Sequence, residues 1–141
     1  MVKRLVLGEK LWEGKAKTMS MTIKGINAEG VTFEFTWTAQ VKGLGKANGT
    51  NGSILFTANV TVSPAGTANF TGNGVFNTMT GDMATIKGSG SGKSEGANGK
   101  GVSVWSFMTL SEKLSWMNTT LAVVSQEGDP QEADLVIWEW K

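Results

Sequence analysis

Apolar and polar residues alternate along most of the chain, most clearly between residues 31 and 41. There every second position is apolar, namely Val31, Phe33, Phe35, Trp37, Ala39 and Val41. The residues between them are polar, and the same period of two recurs at 19–23 and at 54–62. Because successive side chains of a β-strand point to opposite faces of the sheet, this pattern predicts long strands with one buried face.

Residues that favour turns separate the alternating segments. We predict strands near residues 2–8, 16–25, 30–42, 53–63, 66–79, 82–89, 100–109, 119–126 and 132–140. Strands that follow one another with short connections favour a meander that closes on itself, since closure removes exposed strand edges. The sequence therefore predicts an all-β chain, with residues 1–141 forming a single antiparallel up-and-down barrel of about eight strands.

One segment, residues 110–118, departs from the strand pattern. Leu110, Leu114 and Met117 recur at helical spacing, and Ser111 can cap a helical turn. We predict one short helix or 3₁₀ turn here, which would plug one end of the barrel.

Both faces are apolar in the strand predicted at 100–109. Val102, Val104 and Met108 alternate there with Trp105 and Phe107. A strand with two apolar faces is normally covered on both sides. The outer cover could be the short helix, the N-terminal segment or another subunit, so a homo-oligomer is one of the alternatives.

Composition excludes several classes of function. The chain has 13 basic and 12 acidic residues, and its lysines are scattered, so we expect no nucleic-acid partner. Cysteine, histidine and tyrosine are absent, so disulfides and thiolate or imidazole chemistry are excluded, and we expect no metal and no cofactor. No stretch approaches the roughly 20 apolar residues of a spanning helix, so we expect no membrane partner and a cytoplasmic location.

The glycine-rich run at residues 88–94 invites comparison with a phosphate-binding loop. That motif requires a glycine five positions before Gly92, where this chain has Lys87, and a helix afterwards. Residues 95–101 contain three glycines and would not form a helix. We predict a mobile hairpin connection, with a lid over the barrel mouth as the alternative.

The chain is rich in large apolar side chains, with six tryptophans, six phenylalanines and seven methionines. They could fill the lumen as core, or line an adaptable apolar pocket. Gly72 and Gly74 predict bends that leave room inside the barrel. The candidate ligand-binding aromatics lie on predicted inner faces and are Phe33, Phe35, Trp37, Phe56, Phe70 and Phe76.

The last predicted strand contributes Glu139 as a further ligand-binding candidate. Alternation places it on the same face as Leu135 and Ile137. It could pair with a lysine at the barrel rim, or point into the lumen and orient a ligand or act as acid or base. Glu34 is most simply solvated, and Asp82 is a turn residue.

The second half of the chain resembles a family of small uncharacterised prokaryotic β proteins. Its motif G-E-M-A-T-W-K-G-x-G-x-G-K appears at residues 81–93 with Asp82 and Ile86 as departures. The motif F-x-T-x-S-x-K-L-x-x-L-N appears at 107–118 with Met117 in place of leucine, and the ending W-E-W-K at 138–141. The resemblance implies a calycin-like or allene-oxide-cyclase-like barrel, and it implies no catalytic residues.

Three hypotheses follow for function. The first is a barrel that binds a small apolar or amphipathic ligand in its lumen. The second is an enzyme of the isomerase or cyclase kind, in which a dry cavity constrains a reactive substrate and one carboxylate steers charge. The third is a structural subunit of a homo-oligomer without a ligand.

Overall fold

The computed structural model describes residues 5–141 and shows a closed barrel of eight antiparallel strands. The strands are β1 (Leu7–Asn27), β2 (Gly30–Gly43), β3 (Gly52–Val62), β4 (Thr67–Thr78), β5 (Met83–Glu95), β6 (Asn98–Met108), β7 (Leu121–Gly128) and β8 (Glu132–Trp140). Each strand pairs with its neighbours in sequence, and β8 pairs with β1 to close the ring. The predicted all-β, up-and-down barrel is confirmed.

Strand β1 is continuous where the sequence pattern predicts two strands, at 2–8 and 16–25. The predicted break between them is wrong, because the pairing with β8 continues through an irregularity between Lys10 and Trp12. Leu11 and Trp12 are adjacent, yet both are buried. A bulge breaks the two-residue alternation in this way, so the segment does not look like a strand in the sequence. Residues 2–4 of the first predicted strand lie outside the described part of the chain.

Residues 88–95 and 98–101 of the glycine-rich segment are strand, so the predicted hairpin connection is much shorter than the sequence pattern indicates. Strands β5 and β6 remain paired from Thr85↔Met108 to Glu95↔Asn98, and a tight turn at 96–97 joins them. Gly96 has a φ of +65°, which glycine adopts without strain. The low strand propensity of glycine is overcome here because ladder hydrogen bonds to both neighbouring strands hold the backbone.

Three stacked aromatic rings fill the middle of the barrel. The ring centroids of Trp37 and Phe56 are 5.2 Å apart, and those of Phe56 and Trp105 are also 5.2 Å apart. The rings lie directly against glycines, since a Cβ at Gly74 would be 2.7 Å from Phe56 and one at Gly88 would be 2.5 Å from Trp105. The room that the glycines leave is therefore occupied by these aromatic side chains.

One end of the barrel is plugged, as the sequence predicts. The predicted short helical turn is a 3₁₀ helix at Ser115–Thr119, in which Met117 is completely buried, as is Leu114 just before it, whereas Leu110 is fully exposed. A second 3₁₀ turn, at Gly45–Ala47, was not predicted. Trp12 stacks on Trp116 with a centroid distance of 5.7 Å. We call this the closed end. No helix within residues 5–141 has the length and apolarity needed to cross a membrane.

An apolar strip remains exposed on the outer face of β6–β8. Its centre is the row Val104, Val123 and Trp138, which are paired across the three strands. Val102 and Leu121 extend this outer strip and are 53% and 43% exposed. The short 3₁₀ helix does not cover it, because its apolar residues pack into the closed end. Cover by another subunit stays a prediction, and residues 1–4 lie outside the described part of the chain.

Candidate functional site

A cavity of about 270 Å³ occupies the end of the lumen opposite the closed end. The turns at 28–29, 63–66, 96–97 and 129–131 surround this open end. We call this space the lumen cavity. The apolar side chains that line it are Phe35, Trp37, Phe56, Ala58, Val60, Ala68, Phe70 and Trp105. The glycine and polar residues that complete the lining are Gly92, Lys93, Ser94, Gly99, Lys100, Gly101 and Gln126.

Aromatic side chains form the floor and walls of the lumen cavity. The floor is the buried stack of Trp37, Phe56 and Trp105, which closes the passage toward the plugged end. Phe35 and Phe70 rise from this floor and are half-buried. The lumen cavity therefore has flat, rigid apolar walls of the kind that hold small molecules.

Glycine keeps the side of the lumen cavity at β6 open. A Cβ on Gly101 would lie 3.4 Å from the backbone oxygen of Ser91 and 3.7 Å from the Phe70 ring, which are ordinary contacts. Gly101 shares the inner face of β6 with Ser103 and Trp105, so a larger side chain at this position would project into the cavity.

A second hollow of about 380 Å³ continues the lumen cavity outward and forms its mouth. The two share Phe35, Gly101 and Gln126, and the mouth is bordered further out by Asn98 and Asp129. The space thus passes from an apolar floor to a polar rim.

The β1–β2 hairpin extends beyond the barrel on one side of the mouth. Thr18 is tied to the turn between β7 and β8 by a backbone hydrogen bond to Gln131 of 2.9 Å. The pairing of β1 with β8 ends next to it, and beyond this point β1 pairs with β2 alone. Met21 and Ile23, which face the same side as Phe35, are 49% and 60% exposed. The hairpin therefore continues the apolar inner surface past the mouth.

Charged groups lie at the rim of the lumen cavity. Lys93 and Lys100 face each other on β5 and β6, and their ammonium groups lie 3.7 Å and 3.4 Å from the carboxylate of Glu95. All three side chains are at least half exposed, so these pairs contribute little to stability. No carboxylate lines the cavity, and the described residues contain no cluster of side chains able to hold a metal ion.

The structure brings four of the predicted ligand-binding aromatics together. Phe35, Trp37, Phe56 and Phe70 all line the lumen cavity. Phe76 instead packs at the closed end, with its ring centroid 5.3 Å from that of Trp12. Phe33 lies on the projecting hairpin opposite Ile23 and does not reach the cavity.

Glu139 lies on the inner face but at the closed end. Its carboxylate forms an ion pair with Lys46, and its side chain is 12% exposed. The Lys46 ammonium also lies 5.5 Å from the ring centroid of Trp116, and the Lys46 backbone N–H donates to Glu9 at 2.9 Å. Glu139 is therefore paired with a lysine at the barrel rim, which is one of the two alternatives that the sequence predicts for it. A contact between Glu139 and a ligand stays a prediction, and it would have to be made at the end away from the lumen cavity.

The other carboxylates considered from sequence lie on the outside. Glu34 is 46% exposed and its carboxylate is 3.7 Å from the ammonium of Lys24. Asp82 occupies the turn between β4 and β5, as predicted, where it accepts hydrogen bonds from Ser111 and Thr80 at 2.8 Å and 3.0 Å. These hydrogen bonds, led by the one from Ser111, lower the pKa of the Asp82 carboxyl.

Trp105 and Gln126 are among the residues of the site that were not identified from the sequence. Trp105 sits in a strand with two apolar faces, so the alternation did not indicate which face was inner. Gln126 ends the inward series Ala122, Val124 and Gln126 on β7, and a polar residue in an apolar alternation is the signal that could have identified it.

Comparison with known proteins shows likeness of fold. No protein-family model and no curated protein matches the chain. A protein of unknown function from Clostridium acetobutylicum ATCC 824 matches with a TM-score of 0.82 and 16% identity, over 100% of both chains. A β-barrel-like protein from Acinetobacter baumannii AYE matches with a TM-score of 0.81 and 18% identity, and the match covers 100% of this chain and 99% of that protein. An enzyme from Penicillium herquei matches with a TM-score of 0.73 and 18% identity, and the match covers 100% of this chain and 98% of that enzyme.

Proposed function

We propose that this barrel binds a small apolar or amphipathic ligand in the lumen cavity. The observation that carries the proposal is the aromatic cavity at the open end, where Phe35 and Phe70 stand above the floor formed by Trp37, Phe56 and Trp105. A closed ring of strands surrounds this surface, as in barrels that hold one small ligand.

The dimensions support a small ligand. The cavity of about 270 Å³ lies just below the usual range of small-molecule pockets, and the mouth adds about 380 Å³. An amphipathic molecule would enter with its apolar part first and leave its polar part near Gln126 and Asn98. This orientation avoids burying an unpaired polar group against the aromatic floor.

We also propose that the barrel is of the calycin-like or allene-oxide-cyclase-like kind, as the motifs at 81–93, 107–118 and 138–141 imply. The closed eight-strand meander with one plugged and one open end supports this assignment. The solved structures that match the chain are below 25% identical, so they support the fold and not a particular ligand.

Binding is better supported than catalysis. An isomerase or cyclase mechanism would need an ionisable group facing the substrate. Glu34 lies outside the barrel, and Glu139 is paired with Lys46 at the closed end. The ionisable side chains that line the cavity are Lys93 and Lys100, and they lie at its rim beside Glu95 rather than against the aromatic floor.

A fluorescence titration with N-phenyl-1-naphthylamine, a neutral apolar dye, tests the proposal. We expect saturable binding by the wild-type barrel and at least a tenfold weaker affinity for Gly101→Leu, whose side chain would fill the cavity. The matched control is Val102→Leu, which changes the next residue on the outer face and should bind as the wild type does. Absence of saturable binding, or equal binding by Gly101→Leu in a folded state, would refute the proposal.

The exposed outer strip favours a second proposal, self-association of the barrel. Val104 is exposed and adjoins the half-buried Val123 and Trp138, with Lys10 lying over the Trp138 ring, and apolar surfaces of this kind commonly mediate contacts between subunits. Sedimentation equilibrium over a range of concentrations should then show an assembly that Val104→Lys dissociates. A strict monomer at all concentrations would exclude it.

A further inference from the structure

Two hydrogen-bond donors in the lining of the lumen cavity have no acceptor from the protein. Within the described part of the chain, no hydrogen bond involves the indole nitrogen of Trp37 or Trp105, whereas the indole N–H of Trp12 donates to Thr50 at 3.0 Å. No described side-chain nitrogen or oxygen is both fully sealed from solvent and unpaired. Both indole N–H groups therefore retain a small accessible surface, although Trp37 and Trp105 are only 3% and 1% exposed. Because both side chains line the cavity, we take this surface to open into it.

Gln126 adds a third donor at the upper edge of the same space. Its side chain is half-buried on the inner face of β7, and it lines both the cavity and the mouth. Among residues 5–141, the side-chain amides that form hydrogen bonds are those of Asn27, Asn51, Asn69 and Asn118, so the Gln126 amide is not among them. The amide can donate to, and accept from, whatever occupies the cavity.

The cavity lining thus carries unpaired donors, whereas its neutral side-chain acceptors are the Ser94 hydroxyl and the Gln126 amide oxygen. A donor in an apolar wall is costly to leave unpaired, so its acceptor must come from water or from a ligand. The cavity lining has no carboxylate that could serve as a protein acceptor. A ligand that brings its own acceptor oxygen replaces that water and satisfies the donors.

A full charge on the ligand is not favoured by this arrangement. The cations Lys93 and Lys100 lie at the rim, where both are close to Glu95 and largely exposed. No counter-charge lies beside Trp37 and Trp105, so a carboxylate carried down to the aromatic floor would lose its hydration without a partner. A carbonyl oxygen accepts the same hydrogen bonds at a much lower cost of desolvation.

We infer that the ligand is a neutral, planar aromatic or conjugated molecule that presents a carbonyl oxygen to the indole N–H groups of Trp37 and Trp105, while the Gln126 amide stays available to a polar atom nearer the mouth. The flat walls of Phe35 and Phe70 favour a planar ring system over a flexible chain. This inference rests on the proposed function, because it specifies the chemical class of the ligand in the same cavity.

A matched pair of compounds tests the carbonyl. 2-Acetylnaphthalene and 2-ethylnaphthalene share the same ring system and differ in the acceptor oxygen. We expect 2-acetylnaphthalene to displace N-phenyl-1-naphthylamine with an affinity about tenfold higher than that of 2-ethylnaphthalene. 2-Naphthoate, the charged counterpart, should bind more weakly than the ketone.

The indole N–H resonances report the contact directly. In the wild-type barrel, 2-acetylnaphthalene should shift the ¹⁵N–¹H signals of Trp37 and Trp105 downfield more than 2-ethylnaphthalene does, and should leave the hydrogen-bonded Trp12 signal in place. Trp37→Phe and Trp105→Phe serve only to assign the signals. Ser125→Ala, on the outer face of the strand that carries Gln126, should keep the preference for the ketone.

The outcomes separate this inference from the proposed function. Equal affinity for the two naphthalenes, tighter binding of 2-naphthoate, or indole signals that do not respond to the ketone would each overturn the carbonyl inference while ligand binding stands. If neither naphthalene displaces the dye and the dye itself does not bind saturably, both proposals fail.

Discussion

Gly88 and Trp105 are in direct contact across β5 and β6, and a Cβ at Gly88 would lie 2.5 Å from Cδ1 of the indole. The two residues are cross-strand partners, so the ring lies flat over the glycine backbone. Trp105 in turn stacks on Phe56 with an interplanar angle of 9°. The position of the cavity floor therefore depends on the absence of a side chain at Gly88.

Gly88→Ala should destabilise the barrel by about 1–3 kcal/mol, because the added methyl overpacks the buried stack. It should also weaken binding of N-phenyl-1-naphthylamine, since Trp105 must shift toward the lumen cavity. Chemical denaturation and dye titration measure the two effects. Gly25→Ala is the matched control, because nothing lies within 4 Å of a Cβ there. Equal stability of the two variants would show that Trp105 is free to move.

Lys46→Met should destabilise the fold by about 1–3 kcal/mol, because it leaves the largely buried carboxylate of Glu139 without its partner. Lys24→Met breaks the exposed pair with Glu34 and should cost less than about 1 kcal/mol. Urea denaturation at neutral pH compares the two variants. If both variants lose only a small amount of unfolding free energy, water readily replaces Lys46 as the partner of Glu139 at the closed end.

Glu139→Gln should change the affinity for N-phenyl-1-naphthylamine less than twofold, because Glu139 and the lumen cavity lie at opposite ends of the barrel. Dye titration of the variant, with its stability measured in parallel, provides the comparison. A large loss of affinity in a folded variant would instead support the ligand contact that the sequence predicts for Glu139.

Thr50→Val should lower the free energy of unfolding by about 1–3 kcal/mol, because it removes the acceptor of the buried Trp12 indole N–H. Thr36→Val is the control, since it breaks an exposed hydrogen bond to Thr57 of 2.9 Å and should have little effect. Thermal unfolding of both variants is the measurement. A Trp12 N–H signal that keeps its position in Thr50→Val would indicate a replacement acceptor.

The pKa of Asp82 should lie below its ordinary value of 3.8, because the carboxylate accepts hydrogen bonds from Ser111 and Thr80 and lies near Lys113. A depressed pKa in the folded state means that ionised Asp82 favours folding. This contribution is complete above the ordinary pKa and is lost as the pH falls through the lower, folded value. The difference in unfolding free energy between wild type and Asp82→Asn should therefore disappear in acid.

An NMR titration of the Asp82 carboxyl carbon tests the cause of this shift. Ser111→Ala should raise the pKa of Asp82 toward its ordinary value, since the hydrogen bond from Ser111 is the largest contribution. Ser115→Ala, a serine outside this hydrogen-bonded group, should leave it unchanged. An unshifted carboxyl in the wild type would contradict the hydrogen bonding at this turn.

Much of the candidate site could be predicted from alternation alone. Phe35 and Trp37 on β2, and Phe56 on β3, were placed on inner faces because each lies in a regular series of apolar residues. Trp105 could not be placed, because Val104 beside it is also apolar. Phe76 was on the correct face but at the closed end, and alternation contains no information on the height of a residue along the barrel.

The sequence by itself determined that the chain forms a barrel of alternating strands, which residues of β2–β4 face inward, and that a helical turn interrupts the strands near residues 110–118. These properties follow from a local period of two residues and from its interruption. Only the tertiary structure decided that β1 is continuous, that residues 88–95 and 98–101 are strand, and that Glu139 meets Lys46 at the closed end. These depend on register and on pairing between distant segments, where ladder hydrogen bonds and the packing of aromatic rings on glycine outweigh local propensity.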